Sequence, residues 1–536
     1  MSANSLSITS FSGFTLPPMP DISVQTAHRR GLRTLIHEQD DLCAEAALMP
    51  DPDSLSFNTH QKAAYDTIVE ALNASQTSPR LYFVDGPGGT GKTFLFNALL
   101  CKVRRQGNIA LAVATSGIAA LLLDGGRTSH SQFKIPLEID TLSMCSISAN
   151  SQVANLLRKT ELIIWDEASM ISKDIFNAVS RSMQDIMKSV DPALENVAFG
   201  GKLFVFGGDF RQVLPVIPRA SRAQIVSQCI NRAPAWRDVI TLSLKASMRI
   251  AQASSPEEAA ELRHFAAFLL HVGSGVVPTT GEPDTLPIPQ TMLIPGRNLL
   301  HLASAIFPNL IANAENADFL MCRAILTPKN HDVNTINNIL LNQFPGEAHE
   351  FKSIDEGNNE DDQLAYPIEF LNTIDPGSLP PHSLRLKKGC PIMLLRNLDP
   401  KNGLCNGTRL ICDSFQRFVI KATIVTGSHA GKVALIPKIK LNLSETVSSI
   451  NFQRCQFPVR LAFAMTINKS QGQTLDSVGL YLPSPVFGHG QLYVALSRVC
   501  RPSAIKIMLD TSYDPNTVTS PVFTNNIVYK EVFRRN

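Results

Sequence analysis

Eight consecutive residues, Gly86-Pro87-Gly88-Gly89-Thr90-Gly91-Lys92-Thr93, fit the spacing G-x-x-x-x-G-K-[ST]. Glycine carries no Cβ, so several backbone N–H groups of such a loop can turn toward one anion without crowding. The lysine reaches β- and γ-phosphate oxygens, and the hydroxyl after it is a Mg2+ ligand. Gly86, Gly88, Gly89, Thr90, Gly91, Lys92 and Thr93 are therefore candidate nucleotide-binding residues, with Thr93 also a metal ligand. A second group is Ile163-Ile164-Trp165-Asp166-Glu167, an apolar run that ends in two acids. Asp166 suits Mg2+ held through water, and Glu167 suits a base that takes a proton from an attacking water. A third is Phe206-Gly207-Gly208-Asp209-Phe210-Arg211-Gln212, where the Gln212 amide suits sensing a γ-phosphate and orienting that water.

These groups need a scaffold that brings them to one edge. Leu81-Tyr82-Phe83-Val84 runs into the glycine loop, and Phe94–Val103 is predicted helical after it. Similar short apolar runs recur at Ala110–Val113, Leu162–Trp165 and Leu203–Phe206, with helical stretches between them. A helix is predicted over Thr59–Leu72. Strands alternating with helices imply βαβ units and a parallel sheet, whose ligands bind beyond the carboxyl ends of the strands. A further strand-like run is Ala324-Ile325-Leu326. Over 385–460 the pattern changes to short strands with Gly and Asn turns, such as Ile392–Leu395, Phe418–Ile420 and Val433–Ile436, which predicts a small all-β insert.

The chain has 536 residues, 44% hydrophobic and 18% charged, enough for several cores and against wholesale disorder. The ten cysteines include no C-x-x-C pair, which excludes a zinc ribbon and reads as scattered reduced thiols. No apolar run is long enough to span a bilayer, so no membrane role is expected. The net charge is only +3, but it is unevenly placed. Thirteen Lys/Arg and three Asp/Glu fall within 385–460, against one Lys and nine Asp/Glu within 347–375, which suggests an oriented field. Residues 1–50 read as a partly disordered leader with one short helix; Arg29, Arg30 and Arg33 leave a mitochondrial transit segment as the alternative.

Taken in order, these segments resemble the superfamily one DNA helicases of the petite-integration-frequency (Pif-type) group, closest to the helicase module of Helitron transposons. The resemblance spans about Phe57 to Val499. It includes Phe57-Asn58-x-x-Gln61, Ala114-Thr115-Ser116-Gly117, Gly126–Ser131, Met248-Arg249, Ile325–Asn330 and Tyr366–Asn372. It continues through Leu395–Pro400, Gly403–Arg409, Met465–Thr474 and Tyr493–Arg498. Cellular members often carry His where Asn468 stands and Asn where Ser247 stands, and the nuclease His-x-His pair of transposon forms does not occur.

The resemblance implies an α/β fold of two RecA-like P-loop domains with ATP between them, and a small SH3-like barrel inserted in the second. The corresponding ranges are 51–240 for the first domain, 241–384 and 461–536 for the second, and 385–460 for the basic insert. It implies that Gln61 reads adenine, that Gly472 joins the nucleotide site, and that Arg249 and Arg498 neutralise the transferring phosphoryl group. It implies single-strand backbone contacts from Thr115, Ser116, His130, Asn397, Thr466 and Lys469. The expected activity is Mg2+- and ATP-dependent 5′–3′ movement on single-stranded DNA with unwinding of forked or tailed duplex, by a monomeric motor. The setting would be repair, recombination, telomere maintenance or transposon replication, in the nucleus or the mitochondrion. An inactive single-strand-binding remnant of a transposon and an RNA helicase of similar build are the alternatives.

Overall fold

The computed structural model describes residues 35–73, 80–251, 253–276, 284–296, 298–358, 366–427, 429–443, 450, 452–509 and 522–534. The predicted leader therefore lies outside the described residues up to 34; from there a helix α1 runs over Leu35–Leu48.

The first lobe is a parallel sheet of six strands: β1 (Arg80–Asp85), β2 (Ile109–Ala114), β3 (Arg127–Thr128), β4 (Thr160–Asp166), β5 (Leu203–Gly208) and β6 (Val239–Ser243). Their order is β3-β2-β4-β5-β1-β6. The inner strands are buried on both faces, which is why they read as unbroken apolar runs. One face packs Phe83, Trp165, Phe204 and Phe206 under Phe176 and Phe199; the other packs Val84, Ala112 and Ile164 under Leu95, Leu99 and Ile68. Helix α2 (Thr59–Leu72) starts with a capping box in which Asn58 and Gln61 bond each other's backbone N–H. Helix α3 covers Lys92–Arg105, two residues longer at each end than predicted. The boundary expected at 240 cuts through β6, which pairs with β1. As a half-exposed edge strand, β6 lacks the continuous apolar signature of its neighbours.

Four short strands follow in the order of the chain: β7 (Thr285–Pro287) and, in the second lobe's sheet, β8 (Arg323–Thr327), then two strands of the insert, β9 (Ala348–Lys352) and β10 (Ile354–Gly357). The insert continues with β11 (Ser383–Lys387), β12 (Pro391–Leu394), β13 (Arg409–Phe415), β14 (Val419–Ile424), β15 (Val433–Pro437), β16 (Ile439–Asn442), β17 (Phe452–Gln456) and β18 (Val459–Leu461). The second lobe resumes with β19 (Ala464–Thr466), β20 (Ser477–Leu482) and β21 (Ile505–Leu509), and its sheet is parallel in the order β19-β8-β20-β21. Strand β22 (Phe523–Asn525) pairs antiparallel with β7.

The insert is antiparallel, with a five-stranded sheet in the order β15-β14-β13-β12-β18 and no β15–β18 ladder. It shares one apolar cluster with the second lobe, from Leu302 and Leu340 to Leu410 and Ile436, so the two are packed together through a common core. The β-rich unit begins before 385, because β9 pairs with β11 and β10 with β17. That pairing also joins part of the acidic block to part of the basic one. Asp355 meets Arg454 at 2.6 Å with both side chains fully buried, Asp375 meets Arg460, and Glu356 lies 3.7 Å from Lys440. Over 347–460 there are fourteen Lys/Arg and twelve Asp/Glu, close to neutral. Three acids of one block thus find partners in the other, which their separation in sequence conceals. The final segment also departs from expectation: Tyr529 and Val532 pack into the first lobe's apolar cluster, not the second's.

Candidate nucleotide cleft and nucleic-acid interface

Strand β1 ends at Asp85 and the chain turns through the glycine loop into α3, whose N-terminus aims its N–H groups at the loop's concavity. Gly91 caps the helix at φ +80°, and Gly89 stands at φ +86°. A Cβ on Gly89 would lie 2.8 Å from Arg249 Nε, and one on Gly91 2.5 Å from Gln61 Nε2. Both glycines are thus required by space as well as by backbone conformation. Lys92 Nζ donates to the loop's own Gly86 carbonyl. Thr90 Oγ1 donates to Pro87 O at 2.9 Å, so this hydroxyl braces the loop.

The two acids close β4. Asp166 Oδ1 accepts the Glu167 N–H at 2.8 Å. Glu167 takes a left-handed backbone, φ +52°, unusual for a residue with a side chain, and it is nearly buried. Burial, then the neighbouring Asp166 carboxylate, push its pKa up to about 7. Burial raises Asp166 as well, with Lys92 opposing. Gln212 follows β5 and is also buried.

The arginines come from the other side. Arg249 lies on the short helix after β6, where Met248 N–H donates to Gly89 O at 2.9 Å and Arg249 Nη1 donates to Val499 O at 3.1 Å. Arg498 follows helix α4 (Gln491–Leu496) of the second lobe. Its donors go to Val494 O at 2.9 Å, Ser470 O at 3.3 Å, Gln473 O at 3.0 Å and Ser497 Oγ at 2.9 Å. Burial works against its charge while the nearby Glu167 supports it. Gly88, Gly89, Gly91, Lys92, Thr93, Asp166, Glu167, Gln212, Arg249, Gly472 and Arg498 all line one cavity of about 220 Å3 between the lobes.

The residues present fit a bound nucleotide and Mg2+. Buried Glu167 Oε2 and Gln212 Oε1 have no hydrogen-bond partner. Both face a cavity that also holds a lysine parked on a loop carbonyl. Such orphaned polar atoms are costly unless something completes them. Gln471, which sequence reasoning did not single out, adds two more: its buried amide N and O are both unpaired one residue before Gly472. Among the described residues no group of three or more acids, histidines or cysteines could hold a metal ion.

Gln61 sits against the glycine loop. It is fully buried behind the loop, its Oε1 accepting from Asn58 N–H at 3.1 Å and its Nε2 donating to Thr90 O at 3.1 Å. One of its amide N–H groups braces the loop and its amide oxygen caps α2, and it does not line the cavity of about 220 Å3.

The six candidate strand contacts divide between the lobes. Thr115 Oγ1 donates to Glu167 O at 2.8 Å and accepts from Trp165 Nε1 at 3.3 Å. This hydroxyl therefore holds the strained Glu167 turn and is not presented to a phosphate. Ser116 Oγ caps the next helix by accepting from Ala119 N–H at 3.2 Å. His130 is exposed. Across the junction Asn397 is exposed, its Oδ1 accepting from Asn406 N–H at 2.8 Å. The loop carrying it is pressed on the first lobe: a Cβ on Gly117 would lie 2.9 Å from Asn406 O. Thr466 closes β19 with no side-chain cap bond. Lys469 is pushed down to about 8, first by burial and then by Arg460 and Arg396. A desolvated cation among like charges gains most from an approaching phosphate.

Residues 56–283 match the profile of the PIF1-like helicase family, and residues 369–415 match that of the DNA helicase Pif1 2B domain. The chain belongs to the PIF1-like helicase family. It is 26% identical over 468 residues to the ATP-dependent DNA helicase PIF1 of Xenopus laevis, covering 87% of this chain and 63% of that one. It is 27% identical over 444 residues to the Campylobacter jejuni Pif1, covering 79% and 88%. The chain thus spans about three-fifths of the length of the vertebrate relatives it matches. Its fold is that of a Bacteroides Pif1 solved with ADP-AlF3 and ssDNA: TM-score 0.58, 22% identity, 87% of this chain and 95% of that one.

Proposed function

We propose that this chain is an ATP-dependent DNA helicase that hydrolyses ATP with Mg2+, moves 5′ to 3′ along single-stranded DNA and opens tailed or forked duplex. One observation carries the reading: the glycine loop of the first lobe and Arg498 of the second line the same cavity, with Arg249 over Gly89. A nucleotide there touches both lobes, so its binding and loss can change their separation.

The residues divide the work. Lys92 would leave Gly86 O for the phosphate oxygens, and Thr93 with Asp166 would hold Mg2+, which supplies charge neutralisation when bound. Glu167, poised near neutrality, would take the proton of the attacking water that Gln212 Oε1 orients. Arg249 and Arg498 would offset charge on the transferring group. Thr115 ties the Glu167 carbonyl to the side of the lobe where Ser116 and His130 lie, a short route from strand to base. Direction of travel, a monomeric motor, a nuclear or mitochondrial location and roles in repair, recombination, telomere maintenance or transposon replication rest on the resemblance.

The test is single-strand-stimulated ATP turnover in the parent and in Lys92→Ala, followed by unwinding of duplexes with a 5′ or a 3′ tail. The expected result is loss of turnover in Lys92→Ala and opening of the 5′-tailed duplex only. Unchanged turnover in Lys92→Ala would remove the reading. A parent that binds single strands without ATP turnover would favour the remnant.

A further inference from the structure

The lobes are also joined by a buried cluster that the nucleotide chemistry does not use. The loop Asp209–Gln212 leaves β5 and carries Gln212 into the cavity. Three second-lobe groups grip it. Tyr493 hydroxyl donates to Asp209 Oδ2 at 2.8 Å. His489 Nε2 lies 2.8 Å from Phe210 O, and its Nδ1 accepts the Tyr529 N–H at 2.8 Å. A backbone N–H can only donate, so the ring proton must sit on Nε2, where it meets the Phe210 carbonyl. Gly490, at φ +71°, lies so close that a Cβ would fall 2.4 Å from Arg211 O and 2.7 Å from Gln212 O.

Tyr529 belongs to the segment 522–534, which is fastened to both lobes. Strand β22 pairs with β7, and Asn526 Nδ2 donates to Val272 O at 2.9 Å. Beyond it Tyr529 and Val532 enter the first lobe's core, and Arg222 pairs with Glu531 at 2.8 Å. His489 is the point where this strap, the loop and the start of α4 meet, and it is 3% exposed.

We propose that His489 is a positioning residue for ATP hydrolysis, holding the loop 209–212 and thereby Gln212 in register with Arg498 by tying that loop to α4 and to the strap. The inference rests on the ATPase reading above. Gln212 and Arg498 stand on different lobes yet must address the same phosphoryl group. Their registry needs a connection without slack, and Gly490 against the Arg211 and Gln212 carbonyls leaves none. Misplacement of about 1 Å at a reacting centre can cost as much as about 10²-fold in rate.

The test uses the full chain and the variants His489→Ala, His489→Asn and His489→Gln. Glutamine carries a donor and an acceptor spaced like the two ring nitrogens, so it can serve both Phe210 O and Tyr529 N–H. Asparagine reaches the strap but not the loop. Single-strand-stimulated kcat and KM, binding of a fluorescent ATP analogue, and melting temperature are measured. The expected result is a kcat lower by about ten-fold or more in Ala and Asn, nucleotide affinity unchanged, and recovery in Gln. Should Ala fail to fold, the Asn and Gln pair decides. Equal kcat in Asn and Gln, or a kcat per folded molecule equal to the parent's in every variant, overturns the proposal. A parent that turns over no ATP defeats the functional reading and the proposal with it; an active parent with an unaffected Asn variant defeats the proposal alone.

Discussion

Replacing Arg498 and Arg249 by alanine, one at a time, probes two guanidinium groups that face one cavity from differently built seats. Arg498 is 5% exposed and gives four hydrogen bonds, to three carbonyls and the Ser497 hydroxyl. A guanidinium has five N–H groups, so one remains for a phosphate oxygen. Alanine there removes four hydrogen bonds at about 1 kcal/mol each, although Val494 O keeps the Ser497 hydroxyl and Ser470 O keeps the Gln473 N–H as donors. Removing a desolvated charge gives part of this back, leaving a loss of about 3 kcal/mol. That corresponds to a melting temperature lower by roughly 6–12 °C for a lobe of this size. Arg249 gives one such bond, to Val499 O, and it is half-buried, so its loss costs about 1 kcal/mol or less. Both variants lose charge facing the transferring group, which in related enzymes is worth about 10³-fold or more in rate. Arg249→Ala is therefore expected to melt within a few degrees of the parent while kcat falls by about 10³-fold. Arg498→Ala is expected to lose both turnover and stability. Scanning calorimetry and single-strand-stimulated ATP turnover read the two effects. Turnover by Arg249→Ala within about ten-fold of the parent, or an Arg498→Ala that melts with the parent, would refute the reasoning.

Glu167→Gln keeps the shape of the cavity and removes the base; turnover should fall by about 10²–10⁴-fold with nucleotide binding retained, read by turnover and analogue binding together. Burial pulls the His489 pKa from 6.5 down to about 4, with the Asp209 and Glu531 carboxylates pulling upward and Arg222 downward. The unfolded chain therefore binds the extra proton first, and stability is lost as pH falls from 6.5 toward 4. At pH 5 the loss is about 2 kcal/mol, and His489→Gln should flatten that slope in denaturant titrations. Arg454→Met strands the buried Asp355 carboxylate and should cost about 3–5 kcal/mol, whereas adding Asp355→Leu should recover most of it. Equal stability of the single and double variants would argue against that pairing.

Much of the first lobe was legible because its chemistry is local. The glycine loop, β1 and α3 are contiguous, and strands buried on both faces carry an unbroken apolar signature. Asp166 and Glu167 followed from such a run ending in acids. The edge strand β6 was not legible in the same way, since half-exposed residues alternate weakly. Nor was the strap, because only packing shows that Tyr529 belongs to the first lobe's core. Gln61 and Thr115 have the right residue types for ligand contact, yet their hydrogen bonds go to Thr90 O and Glu167 O. A hydroxyl or amide is equally able to serve a ligand or a backbone, and sequence does not say which is nearer.

What the sequence by itself determined is the set of groups able to handle a nucleotide, since phosphate chemistry needs glycines, a lysine and acids at short fixed spacings. What only the tertiary structure decided is which distant groups share a volume. Arg498 reaches Lys92's cavity across about four hundred residues, and Asp355 meets Arg454 across the insert. Such meetings depend on how whole sheets pack, because interactions of a few ångströms carry no trace along the chain that separates their partners.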